Sequence, residues 1–282
     1  MRKLGIAVVV IAIVAAVLVF ALRKATHTID RLLPDPESCT ATVSGHTAEL
    51  QPEQAENAGL ITAVAVKRGL PARAATIALA TAMQESKLFN LTDGDRDSLG
   101  LFQQRPSQGW GTKAQILDPV HATNAFYDAL VKIDGYETMV ITEAAQEVQR
   151  SGYPEAYAEH EPDARVLASA LTGWSPHAFS CRLDDADPGS GRPRILRKEL
   201  RSFFGAHLDS AVVRGRQVTV TVPAGAHGTN TGWAAAHYAI AQADRLGVSA
   251  VEYAGRRWST GTSASWHTDG TADARRLVIT MA

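Results

Sequence analysis

Only two cysteines occur in 282 residues, and neither a Cys-x-x-Cys nor a His-x-x-x-His pair is present. No ligand pair is therefore spaced to begin a tetrahedral zinc site, and no metal or other cofactor is expected. An excess of either charge is also missing. With 28 basic and 29 acidic residues, nothing marks a nucleic-acid-binding surface or an acidic tail. Long apolar runs are nearly absent too. The one exception, Gly5 to Leu22, is 18 residues without a charge, and a single such run excludes a transporter built from this chain alone.

At 1.5 Å per residue that run reaches about 27 Å, enough to cross a bilayer with little tilt. Arg2 and Lys3 precede it and Arg23 and Lys24 follow it, so the free amino terminus tips the orientation toward N-inside. The reading is an uncleaved transmembrane anchor over residues 1–24, with the bulk of the chain extracytoplasmic. A cleavable signal peptide is the competing reading. Against it, the run exceeds a usual signal core, and Arg23-Lys24 stands where small residues should mark a cleavage site. Residues 25–50, with Pro34, Pro36 and several Ser and Thr, read as a stalk.

Helical periodicity dominates the next stretch. Gln51 to Gly69 reads as a first helix, and Pro71 to Met83 as a second that is almost wholly Ala, Ile, Leu, Thr and Met. Asp118-Pro119 opens another, with Asp as N-cap and Pro in the first turn. Thr142 is expected to cap a further helix through Val148, and Pro162 to open a last one through Leu171. Glu85 falls at the end of the second helix, in register with its apolar face. Desolvation and the negative helix end both disfavour its anion and raise its pKa, as a proton donor near neutral pH requires. Lys87, if folded back, would act the other way.

Two segments carry a resemblance: Ala82-Met83-Gln84-Glu85-Ser86, and Leu99-Gly100-Leu101-Phe102-Gln103-Gln104. Together, at this spacing, they resemble the lytic transglycosylase-type muramidase domains of the lysozyme-like superfamily, and Gly94 to Gly111 looks like an actinobacterial branch of it. The resemblance covers roughly residues 50 to 180. It implies a mainly α lysozyme-like lobe over residues 51–182, with Glu85 as the single catalytic acid. It also implies that Ser86, Gly100, Leu101, Gln103 and Gln104 line a sugar cleft. The family's third motif, usually an Ala-Tyr-Asn-type segment, is replaced by Ala145 to Tyr153, where Gln149 and Tyr153 are the expected saccharide contacts. Asp93, Asp95 and Asp97 are the nearest candidate second carboxylates, though their Gly-containing setting suits turn-formers better.

Cys39 and Cys181 bracket that lobe beyond a membrane span, which argues for a disulfide in an oxidising compartment. Residues 183–193, rich in Asp, Pro and Gly, read as a linker to a small α+β domain over residues 194–282. In that domain Arg194 to Phe204 and about Thr231 to Leu246 read as helices. Gln217 to Val222, Ala250 to Tyr253, Arg257 to Ser259 and Leu277 to Thr280 read as strands. Its Trp233, Trp258 and Trp266 could stack on sugars, with core packing as the default. The expected function is a membrane-anchored enzyme that cleaves peptidoglycan glycan strands, by transglycosylation or hydrolysis. The alternatives are a tethered, non-catalytic peptidoglycan-binding protein and an envelope-assembly protein that meets a partner through its C-terminal domain.

Overall fold

A computed structural model describes residues 36–149, 154–261 and 265–282. The apolar run Gly5 to Leu22 lies outside the described residues, among which no helix is long and apolar enough to cross a membrane.

The expected stalk is corrected at its C-terminal end. Ser38–Val43 (β1) and His46–Leu50 (β2) form an antiparallel hairpin around Ser44-Gly45. The physical reason is a period of two, in which buried Cys39 and Ala41 alternate with the more exposed Ser38, Thr40 and Thr42. Phe179–Arg182 (β3) pairs with β1, giving the sheet order β2-β1-β3. Cys39 and Cys181 stand directly opposite each other in that pairing and are joined by a disulfide across 142 residues.

Between β2 and β3 run Pro52–Lys67 (α1), Ala72–Ser86 (α2), the short Lys113–Ile116 (α3), Pro119–Leu130 (α4), Ile141–Gln149 (α5) and Glu161–Leu171 (α6). Every residue from Ala74 to Ala82 is buried, so α2 is apolar on all sides and is packed by α1, α4, α5 and α6. Asp118 caps α4 as its sequence implies, its Oδ1 accepting from the Val120 amide at 2.9 Å. Thr142, expected as a cap, lies inside α5, because the fully buried Ile141 already opens that helix.

The C-terminal half contributes Pro193–Phe204 (α7), Ser210–Arg214 (β4), Gln217–Thr221 (β5), Ala226–Ala241 (α8), Ala243–Leu246 (α9), Val248–Tyr253 (β6), Arg256–Ser259 (β7) and Arg276–Met281 (β8). Its five strands form an antiparallel sheet in the order β4-β5-β8-β6-β7, with α8 packed against it. The described chain is thus a mixed α+β structure with two antiparallel sheets.

The expected linker does not hold two bodies apart. Glu37 Oε1 accepts from the Asp184 amide at 2.8 Å, and Leu183 O accepts from the Gly261 amide at 2.9 Å. Across the junction, Gln242 Nε2 donates to Glu56 O at 3.0 Å and Trp258 Nε1 donates to Cys181 O at 2.9 Å. One continuous set of buried side chains runs through both halves, and Glu37–Ala282 is a single compact unit.

Candidate active site

The last turn of α2 ends abruptly. Lys87 and Leu88 both adopt positive φ, at 54° and 62°. The Leu88 amide reaches back to Ala82 O at 3.1 Å and the Lys87 amide to Met83 O at 3.0 Å, a Schellman-type closure without glycine. Side chains of α1 hold this turn from outside. Gln54 Nε2 donates to Lys87 O and Asn57 Nδ2 to Leu88 O, each at 2.8 Å. The turn sets Glu85 and Ser86 as the final helical pair beneath the next loop.

Ser86 ties helix to loop. Its Oγ, buried, donates within reach of both Leu101 O at 2.7 Å and Ala82 O at 3.0 Å. Leu99 and Gln104 then close the Gly-Leu-x-Gln segment by exchanging two backbone hydrogen bonds of 3.0 Å. Gly100, at φ +75°, leaves no room for a side chain, since a Cβ there would stand 2.7 Å from Ile116 O. Leu101 and Phe102 are fully buried, Phe102 stacking on Phe126 at 4.6 Å between ring centroids.

Several of the residues expected at the sugar cleft are buried. Leu101 has no exposed surface, and Gln104 is buried with its Nε2 donating to Ala122 O at 3.2 Å. With Ser86 and Gly100 they lie buried in the wall of the loop. Gln103, half-buried, folds its amide onto its own loop, within 3.3 Å of Gly100 O. Tyr153 lies outside the described residues.

Glu85 itself is partly buried. Desolvation raises its pKa above the ordinary carboxylate range, opposed by hydrogen bonds from Tyr157 and Gln149, and no neighbouring charge enters among the described residues. Lys87 is exposed. Tyr157, fully buried in the 3-10 turn Pro154–His160, donates its hydroxyl to Glu85 Oε1 at 2.7 Å. Gln149, at the end of α5, donates Nε2 to Phe102 O at 2.7 Å, and its amide also favours the Glu85 anion. Gln149 further lines a cavity of about 580 Å³ with Trp110, Lys132, Ile133, Glu147 and Val148 among others. Glu85 is not among the lining residues of that cavity.

Asp97 is occupied elsewhere. It accepts from Arg105 Nε at 2.7 Å and from the Ser107 amide at 2.9 Å, and these partners hold its carboxyl far below the usual range. Arg96 Nε lies 3.8 Å from the exposed Asp95. Among the described residues, no three His, Cys, Asp or Glu side chains converge as a cation site.

The chain matches no family model and no curated protein. Its site is therefore read from its own chemistry. Sequence reasoning missed Tyr157, which lies 72 residues from its partner.

Proposed function

We propose that this protein is a membrane-anchored, lysozyme-like enzyme that cleaves peptidoglycan glycan strands with Glu85 as its single general acid. The observation that carries the reading is the desolvated Glu85 carboxyl, free of neighbouring cations among the described residues and oriented by the buried Tyr157 hydroxyl.

Protonated Glu85 gives its proton to the glycosidic oxygen between N-acetylmuramic acid and N-acetylglucosamine, and the C1–O bond breaks. The substrate's acetamide stabilises the oxocarbenium-like centre. The muramyl 6-hydroxyl oxygen then bonds to C1, its proton returns to Glu85, and a 1,6-anhydro ring results. Hydrolysis uses the same acid with water as the nucleophile. Gly5 to Leu22 would hold the enzyme on the outer face of the cytoplasmic membrane, and the C-terminal half is available to an envelope partner. A tethered glycan-binding protein that does not cut its strand is the second reading.

Glu85→Gln tests the proposal. The amide is nearly isosteric but cannot donate a strongly acidic proton, so glycan cleavage should fall about 100-fold or more. Because the raised pKa marks an anion that costs folding free energy, the variant should be at least as heat-stable as the wild type at pH 7. That advantage should disappear as the pH falls through the Glu85 pKa. Cleavage near the wild-type rate would remove Glu85 from the chemistry.

A further inference from the structure

Trp174 is the most exposed large apolar side chain among those described, at 67%. It is not on a loose tip. Gly173 precedes it at φ +83°, packed so closely that a Cβ would stand 1.9 Å from Asn230 O. Ser175 follows it, with its amide bonded to Ser169 O at 3.1 Å and its hydroxyl 2.8 Å from that of Ser169. His177, two residues on, is held at φ 45°, a conformation a non-glycine residue keeps only when its surroundings impose it. The fold thus fixes the backbone that carries an exposed indole, at the cost of leaving apolar surface exposed.

Beside Trp174 opens a cavity of about 670 Å³, remote in sequence from the Glu85 loop. Its floor is the outward face of β1 and β3, where Thr40 and Ser180 are cross-strand partners and Thr42 is the next outward residue on β1. Trp266 closes a further side, half-buried and anchored by its Nε1 donating to Phe179 O at 2.8 Å. No Asp, Glu, Lys or Arg lines this cavity among the described residues, and burial lowers the pKa of His177, favouring its neutral form.

We propose that this cavity is a second saccharide-binding site, in which a pyranose ring of a glycan strand stacks on Trp174 and its hydroxyls bond those of Thr40, Thr42 and Ser175. No Lys or Arg side chain lines the cavity among the described residues to pair directly with a phosphate, a nucleic acid or an acidic peptide, and the nearby Arg256 adds to burial in lowering the pKa of His177. Hydroxyls that both donate and accept are suited to a polyol, and an indole face is suited to the apolar face of a sugar ring. Such a site would hold a strand without cutting it and does not depend on chemistry at Glu85.

The test uses the full chain carrying Glu85→Gln, titrated with chitotetraose by calorimetry and by intrinsic fluorescence. Trp174→Ala should weaken binding at least about tenfold, as loss of a central aromatic anchor does, and shrink the fluorescence change to what Trp266 alone reports. Thr40→Val with Thr42→Val should weaken it about threefold or more while retaining the fluorescence signal at saturation. Circular dichroism should show both variants folded, since Trp174 is exposed and the two valines suit a strand. Unchanged affinity in Trp174→Ala, or no binding to the parent chain, overturns the proposal whatever Glu85 does. If the chain with Glu85 intact cuts no glycan but binding still depends on Trp174, this site stands and the cleavage reading falls.

Discussion

Desolvation pushes the Glu85 proton on, while Tyr157 and Gln149 pull the carboxyl toward its anion. Tyr157→Phe removes one of those donors and leaves the ring in its buried place, so the Glu85 pKa should rise further. A general acid works in its protonated form, and the high-pH limb of the cleavage profile should therefore move to higher pH. The rate at the optimum should fall about tenfold as the carboxyl loses its orientation. A pH–rate profile of the variant checks this, and a limb displaced to lower pH would contradict it. At this scale Glu85 was legible, because an apolar helix with one terminal acid has a direct electrostatic meaning. Tyr157 was not legible from chemistry alone: nothing local says that a tyrosine three helices further on will reach back across 72 residues.

Helix α4 is readable because its apolar residues follow a 3.6-residue period from a recognisable start, Asp118-Pro119, whereas the four-residue α3 is too short to show any period. The hairpin β1–β2 was hidden. Its residues are short, polar or small, and a Ser, Thr and Ala alternation looks like a stalk until the buried partners are known. β4 was passed over for a similar reason, being a five-residue strand of which only Ala211 is fully buried. In the Gly-Leu-x-Gln loop the sequence motif says nothing of packing, whereas in the fold Leu101 is buried and Gln104 bonds Ala122 O, holding the loop in place. That structural role has a measurable consequence at Gly100. Gly100→Ala combines a positive φ with a close approach to Ile116 O, and should cost about 1–3 kcal/mol of stability. Calorimetric unfolding should show a lower Tm with cleavage lost in parallel; an unchanged Tm would mean the loop tolerates a side chain there.

Across the whole molecule the two halves share one core, so urea should unfold residues 37–282 in a single transition. The division expected at 183–193 rested on composition, and composition cannot register that Trp258 and Gln242 bond across the boundary. His237 lies at that junction, fully buried, its Nδ1 2.7 Å from Ala170 O as a donor. Burial pushes its pKa from 6.5 down to about 4. The unfolded chain therefore binds a proton below pH 6.5 that the folded chain refuses, and stability is lost as pH falls from there toward 4. Between pH 7 and pH 5 this group alone should remove about 2 kcal/mol, at roughly 1.4 kcal/mol per pH unit. Urea unfolding at the two pH values and an NMR titration of the imidazole check it; a His237 proton titrating near 6.5 with no loss of stability would contradict it. Chemistry at Glu85 is read most directly by mass spectrometry of peptidoglycan fragments after incubation with the full chain. New anhydro-muramyl ends are expected with the wild type and none with Glu85→Gln. Intact glycan from the wild type, or the same fragments from both proteins, would contradict that chemistry.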